Sequence, residues 1–376
     1  MNSEFGNRKF IIFAVDHYNT LGVARSLGEA GISPVFIAQR GKAELAARSR
    51  YVSETHYVNS IEDGYKYLMD TYGNEKDRPF LYTIDDHSMG YLDERYEDWK
   101  DKFISFNAGK NNGINAYINK WEILQVAQEC GLAVADTSLV DRGTIPNDIK
   151  YPVITKSLSP NIGGWKSDVH ICRNEEELKQ AFTTIKSPKV LLQKYIEKKN
   201  ELEYYGFSIK HGEEVFISIG ANYLYLIPGF YSPYMNVFMP PYPELQNKIA
   251  NVIKKVGFEG IFSCEFVVDQ DDNHYFLEIN FRNATWSYSS TFAGMNLPYL
   301  WAVSTLEGRI DSKIQKDFDA FKAMVEPIDY GKRVDTKKIT FAEWLKDFKE
   351  TECTYYYNRG DIEPFLSLKE KWDVLK

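Results

Sequence analysis

The sequence predicts a mixed fold, with a parallel α/β unit at its N-terminal end and paired antiparallel strands further along. Three stretches carry that expectation. They are a strand–helix–strand pattern over 10–38, a helix that opens at Asn119 and stops at Gly131, and two apolar strands over 260–282 around a short polar turn. At 376 residues the chain is long enough for two or three structural units with substantial cores.

Phe10-Ile11-Ile12-Phe13-Ala14-Val15 is a continuous apolar run, the pattern of a strand buried on both faces of a parallel sheet. The polar stretch 16–20 reads as a loop, 21–30 as an amphipathic helix closed by Gly31, and 34–38 as a second strand. Together they make a βαβ unit. The loop lacks Gly-x-Gly-x-x-Gly, which argues against dinucleotide binding. A further strand, 80–84, runs into Asp85-Asp86-His87-Ser88. Ligands of open α/β sheets gather at the carboxyl ends of strands, so Asp86 and the loop from Asp16 to Asn19 are candidates for the substrate side. The same residues serve equally as caps for the helices that follow.

Asn119-Lys120-Trp121 opens an amphipathic stretch that Gly131 ends. Tyr151-Pro152-Val153-Ile154-Thr155-Lys156 reads as a strand, and a small, polar stretch with Gly163 and Gly164 follows it. Paired glycines allow close backbone approach to a phosphate. Val190-Leu191-Leu192-Gln193 is a short apolar run that turns polar at Lys194.

The segments 260–268 and 275–282 read as a hairpin around the turn 269–273. Glu278 and Asn280, two residues apart, share one strand face, and Glu265 stands on the facing strand. Two carboxylates and an amide oxygen are costly to bury together without a cation. Mg²⁺, a hard metal that leaves positions for phosphates, fits the set best. A half-exposed hairpin with Glu and Asn on its wet face explains the same pattern.

These motifs resemble the ATP-grasp superfamily, whose last strands carry a Glu and then Glu-x-Asn-x-Arg. Here those are Glu265 and Glu278-Ile279-Asn280-Phe281-Arg282, with Phe281 where members often have Pro. The resemblance implies that Glu265, Glu278 and Asn280 hold Mg²⁺, and that Arg282 and Lys156 act on the transferring group. Lys120, Lys156, Gly163 and Gly164 would meet ATP phosphates, and the hinge residues Gln193, Lys194 and Ile196 would meet adenine. Many members have Glu at the Gln193 position; an amide oxygen is still an acceptor. Glu201 or Glu203 would hold the ribose, the insertion 197–200 blurring which. The run 19–31 resembles the domain that precedes the ATP-grasp module in D-aspartate ligases and related carboxylate–amine ligases.

The fold class implied is α/β plus α+β: an N-terminal parallel α/β (pre-ATP-grasp) domain over 1–115, then a two-subdomain ATP-grasp fold over 116–190 and 191–310, then a C-terminal appendage over 311–376. The activity implied is formation of an amide from a carboxylate and an amine by way of an acyl phosphate. ATP and Mg²⁺ are the cofactors, and the substrate is expected to be an amino acid or a cell-envelope precursor. An ATP-grasp kinase, or a nucleotide-binding regulatory protein without turnover, is the alternative.

Other chemistries lack their motifs: Gly-x-x-x-x-Gly-Lys-Ser/Thr, His-Glu-x-x-His, Cys-x-x-Cys and Gly-x-Ser-x-Gly are all absent. A formal charge of −8 argues against nucleic acid as a partner, and no stretch approaches a membrane span. Cys130, Cys172, Cys264 and Cys353 are widely spaced and read as reduced thiols, so a cytoplasmic location is expected. The expected partners are small molecules, and a homodimer is allowed for. The aromatic strip 223–234 reads either as a wall of the acceptor site or a subunit contact, or as core beneath a loop.

Overall fold

A computed structural model describes residues 3–40, 45–158, 164–229 and 231–369. Their strands form three sheets. The first is parallel and holds β1 (Phe10–Val15), β2 (Val35–Gln39), β3 (Glu54–Val58), β4 (Phe80–Thr83) and β5 (Ile104–Ser105), in the order β3-β2-β1-β4-β5. The apolar runs of β1 and β4 are buried almost throughout, as central strands with both faces covered must be. The strand order reverses between β1 and β4, so their carboxyl ends stand side by side, with Phe13 opposite Thr83. Such a reversal leaves a crevice where ligands of α/β sheets collect.

The second sheet is antiparallel and holds β6 (Thr137–Asp141), β7 (Val153–Lys156), β8 (Ile171–Cys172) and β9 (Lys189–Lys194), ordered β6-β9-β7-β8. Val153, Cys172, Leu178, Val190 and Leu192 close a small core behind it. β9 pairs with β6 and β7 along its length and runs unbroken past 190. The unit boundary expected there falls inside a strand, and the small sheet continues to Lys194.

The third sheet holds β10 (Asn200–Ile209), β11 (Glu214–Tyr223), β12 (Tyr234–Phe238), β13 (Gly260–Val268), β14 (His274–Asn280), β15 (Phe321–Met324) and β16 (Cys353–Thr354), in the order β14-β13-β10-β11-β12-β15-β16. β13 and β14 are the expected hairpin. Asp269 shapes its turn, its Oδ1 accepting the N–H groups of Asp271 at 2.9 Å and Asn273 at 2.8 Å. The C-terminal stretch is more than an appendage. β15 and β16 widen this sheet, because Phe321, Ala323 and Met324 are buried as β15 pairs with β12.

The first helix, Tyr18–Glu29, starts before the expected position 21, since His17 caps it by accepting the Asn19 N–H at Nδ1. It is buried from Tyr18 to Leu27 rather than along one face. The C-terminal segment covers its outer side. Arg25, fully buried, donates through Nε to Asp361 at 2.9 Å and through its other nitrogens to the carbonyls of Tyr355 (2.8 Å) and Tyr356 (3.0 Å). Buried Glu326 takes the N–H groups of Tyr355 at 3.0 Å and Tyr357 at 2.8 Å. Two charged side chains thus satisfy the backbone of 355–357, which lies outside the named strands.

Candidate active site

Asn119 caps the helix Lys120–Glu129 by accepting the Trp121 N–H at 3.0 Å, which sets Lys120 at the helix start. From there its Nζ reaches Glu278 Oε2 at 2.9 Å. The strand register does the rest. Glu203 of β10 lies opposite Glu265 of β13, and Glu265 opposite Glu278 of β14, so three carboxylates form a row across adjacent strands. Asn280 donates to Glu265 Oε1 at 2.9 Å and to Ser263 Oγ at 3.2 Å, and its Oδ1 accepts from Arg282 Nη2 at 3.2 Å.

Like charges this close cannot all ionise freely. Lys120 holds Glu278 below the usual carboxylate range, and Glu278 in turn raises Lys120. Burial pushes Glu265 well above that range, with the facing charges of Glu278 and Glu203 adding to it. Burial also raises Glu203 to about 7, against a hydrogen bond from the Tyr205 hydroxyl. Burial thus disfavours the charged forms of Glu265 and Glu203, while Lys120 favours the charged form of Glu278.

Two cavities meet here. The smaller, about 420 Å³, is lined by Lys120, Glu203, Glu265, Glu278, Asn280 and Arg282, with Tyr205, Tyr223 and Tyr231 beside them. The larger, about 930 Å³, lies at the carboxyl ends of β1 and β4 and is lined by His17, Asn19, Asp85, Asp86, Asn115 and Arg282 among others. Asp86 and Arg282 border both. The aromatic strip divides between its two readings: Tyr223 and Tyr231 wall the smaller cavity, while Tyr234 is core against the C-terminal helices.

The nucleotide-side residues are arranged less simply. Lys156 and Gln193 sit diagonally on one face of the paired strands β7 and β9, and Lys156 Nζ donates to Gln193 Oε1 at 2.8 Å. Gln193 Nε2 donates to Thr137 Oγ1 at 2.9 Å. The amide oxygen expected to face adenine is thus taken by the lysine expected to face phosphate. Lys194 spends its N–H on the Asp136 carbonyl at 2.7 Å and exposes its side chain, whereas the N–H of half-buried Ile196 meets no acceptor among the described residues. Glu201 is buried, bonded by Lys198 and the Tyr223 hydroxyl, and is not part of the smaller cavity's lining. Glu203, the other ribose candidate, stands in the carboxylate row.

Gly163 lies outside the described residues. Gly164 has a local reason to be glycine that differs from the expected approach to phosphate. A Cβ there would come within 2.3 Å of both Asp168 Oδ1 and Ser167 Oγ. Buried Asp168 binds the N–H groups of Gly164, Lys186 and Ser187, each at 2.9 Å, and so ties the end of this loop to the start of β9.

Sequence reading missed Tyr205 as a cavity wall, and the place of Glu203 beside Glu265. The alternation Glu201-x-Glu203-x-Tyr205, a strand period, is the signal that finds them. Glu265, Glu278 and Asn280 offer hard oxygen donors. Among the described residues no group of three or more His, Cys, Asp or Glu closes round a metal by itself. The two carboxylates and the amide oxygen suit Mg²⁺, which takes one or two carboxylates and leaves its other positions to water and phosphate oxygens.

Residues 119–300 match the family described as the ATP binding domain of the carbamoyl-phosphate synthase L chain. Biotin carboxylase 1 of Bacillus subtilis is 29% identical over 154 residues, which cover 37% of this chain and 33% of that protein. The chain spans about a third of the length of the first such relatives. Among solved structures, the L-amino acid ligase from Bacillus licheniformis superposes with a TM-score of 0.62 at 13% identity, covering 84% of this chain and 79% of the other. The N5-carboxyaminoimidazole synthetase from Staphylococcus aureus complexed with ADP gives 0.66 at 14%, with coverage of 89% and 86%. The chain has the fold of these proteins, and its central residues, 119–300, match the ATP-binding family.

Proposed function

We propose that this protein is an ATP-dependent carboxylate–amine ligase that forms an amide through an acyl phosphate and yields ADP and phosphate. One observation carries the reading. The cleft that gathers Lys120, Glu265, Glu278, Asn280 and Arg282 adjoins a larger cavity at the strand reversal, and Arg282 stands on their border. A carboxylate is a poor electrophile because its leaving group would be oxide. Transfer of the γ-phosphoryl group to it creates a stable leaving group, which an amine from the larger cavity then displaces. The chain's part is positioning and charge neutralisation. Lys120 and Lys156 would hold nucleotide phosphates, Glu201 or Glu203 the ribose, the Ile196 N–H the adenine edge, and Arg282 the charge on the acyl phosphate. Mg²⁺, bound through Glu265, Glu278 and Asn280, would supply Lewis-acid stabilisation of the phosphate oxygens. The relatives' names, a carboxylase and an amino-acid ligase among them, support an amino acid, another small carboxylate or bicarbonate as the group activated. The test is ADP release over a panel of these acids, alone and paired with amines. If no pair stimulates release, the reading fails; stimulation that needs no amine points to a kinase instead.

Glu278→Gln should leave the fold intact and cut ADP formation by about 10²-fold or more, because a metal-binding charge and the partner of Lys120 are lost together. Turnover near wild type at saturating ATP and Mg²⁺ excludes that role.

Burial in the small sheet, with the Lys120 charge nearby, lowers Lys156 to about 7. Phosphate oxygens favour its charged form, so nucleotide binding should raise its pKa and draw in a proton wherever the free lysine is neutral. Affinity is then flat below that value and falls as pH rises through it. Calorimetry with a non-hydrolysable ATP analogue, in buffers of different ionisation enthalpy, reads the uptake directly. Lys156→Arg should remove the pH slope, and Lys156→Ala should weaken binding. No proton uptake a unit above the lysine's pKa would place Lys156 away from the phosphates.

A further inference from the structure

We propose that Asp86 and Arg282 form an exchangeable ion pair, in which Asp86 fills the anion seat of the cleft until an oxyanion takes it. The proposal rests on the reading of Arg282 given above and adds a competitor built into the chain. Asp86 is the first residue of the helix Asp86–Asp93, yet it does not cap it. Asp85 does so, accepting the Ser88 N–H at 2.8 Å with one oxygen, and the Ser88 hydroxyl at 2.9 Å and the Val15 N–H at 3.1 Å with the other. The Asp86 carboxylate is thereby left without a local backbone duty.

It reaches instead to a residue 196 positions away, with Oδ1 on Arg282 Nε and Oδ2 on Nη2 at 3.3 Å. Two carboxylate oxygens on two guanidinium nitrogens is the fork by which arginine binds carboxylate and phosphate ligands. Asp86 thus stands where such a ligand would stand. Its side chain is 50% exposed against 18% for Arg282, so the pair opens to water from the Asp86 side, and exposed pairs of this kind hold weakly. Arg282 keeps its contact with Asn280 Oδ1 at 3.2 Å when Asp86 departs, so the guanidinium stays aimed at the row of carboxylates. Both partners border both cavities, and their separation clears the boundary between the two. Every anion entering the seat must first displace Asp86, which disfavours weakly bound anions and favours those that engage both guanidinium nitrogens.

The experiment uses inorganic phosphate, titrated by calorimetry into the full chain saturated with Mg²⁺ and ADP. Asp86→Asn and Asp86→Ser should each tighten phosphate by about twofold to fivefold, the range expected for removing one half-exposed ion pair. In an Arg282→Ala background, phosphate should bind more weakly and the Asp86 changes should have no further effect, since the two residues then have nothing to exchange. Phosphate affinity that is unchanged or weaker in both Asp86 variants overturns the proposal and makes Asp86 an orienting partner of Arg282. No carboxylate or amine enters this titration, so its failure and that of the ligase reading are separately visible.

Discussion

Replacing Arg282 with alanine should leave ATP affinity close to wild type and lower amide formation by about 10²–10³-fold, the usual loss for one preorganised charge-stabilising group. The side chain follows Asn280 by two residues and borders the smaller cavity and the larger one together. It is thus placed to meet charge that develops between them rather than charge already present on ATP. Arg282→Lys should recover only part of the rate, because an ammonium cannot reproduce two parallel donors on one plane. Rates are measured with the carboxylate–amine pair found by ADP release, and nucleotide affinity with a non-hydrolysable analogue. Equal loss of ATP affinity and rate would make Arg282 a nucleotide or structural contact.

The second large effect lies far from the chemistry. Arg25→Leu or Asp361→Leu should each destabilise the protein by about 3–5 kcal/mol, because each leaves one member of a fully buried ion pair without its counter-charge. Each change also frees further partners: the Asp361 carboxylate binds the Ser49 hydroxyl and the Arg50 N–H, each at 2.8 Å, and Arg25 binds the carbonyls of Tyr355 and Tyr356. Removing both charges in the double variant should restore part of the stability, as no lone buried charge remains. Urea unfolding followed by tryptophan fluorescence reads the midpoints. A single variant with an unchanged midpoint would show that water or a neighbour replaces the partner.

The hairpin and its Glu265, Glu278 and Asn280 set were legible because a period of two and a local turn decide them within about twenty residues. Lys120 was legible for a similar reason, a helix start with its cap next to it. What the sequence did not reveal depends on pairings between distant segments. The Lys156–Gln193 contact needs the register of β7 against β9, and the Asp86–Arg282 pair needs two different sheets to be in place. The helix Tyr18–Glu29 looked amphipathic, and its start looked like loop, because the C-terminal segment that buries its polar side lies over 300 residues away. β15 and β16, four and two residues long, are too short to show a period at all.

The Arg25–Asp361 link joins positions 336 residues apart in the chain. A ribosome adding about 5–20 residues per second needs roughly 20–70 s to cover that span. During that interval the nascent N-terminal sheet can form, but the first helix carries a guanidinium whose carboxylate and carbonyl partners have not yet been made. The outer side of that helix must therefore stay wet, or be shielded by a chaperone, until residues 355–361 emerge. Packing around the first helix is in this sense completed by residues more than 300 positions later, and a break in synthesis before Asp361 leaves the Arg25 guanidinium without its carboxylate.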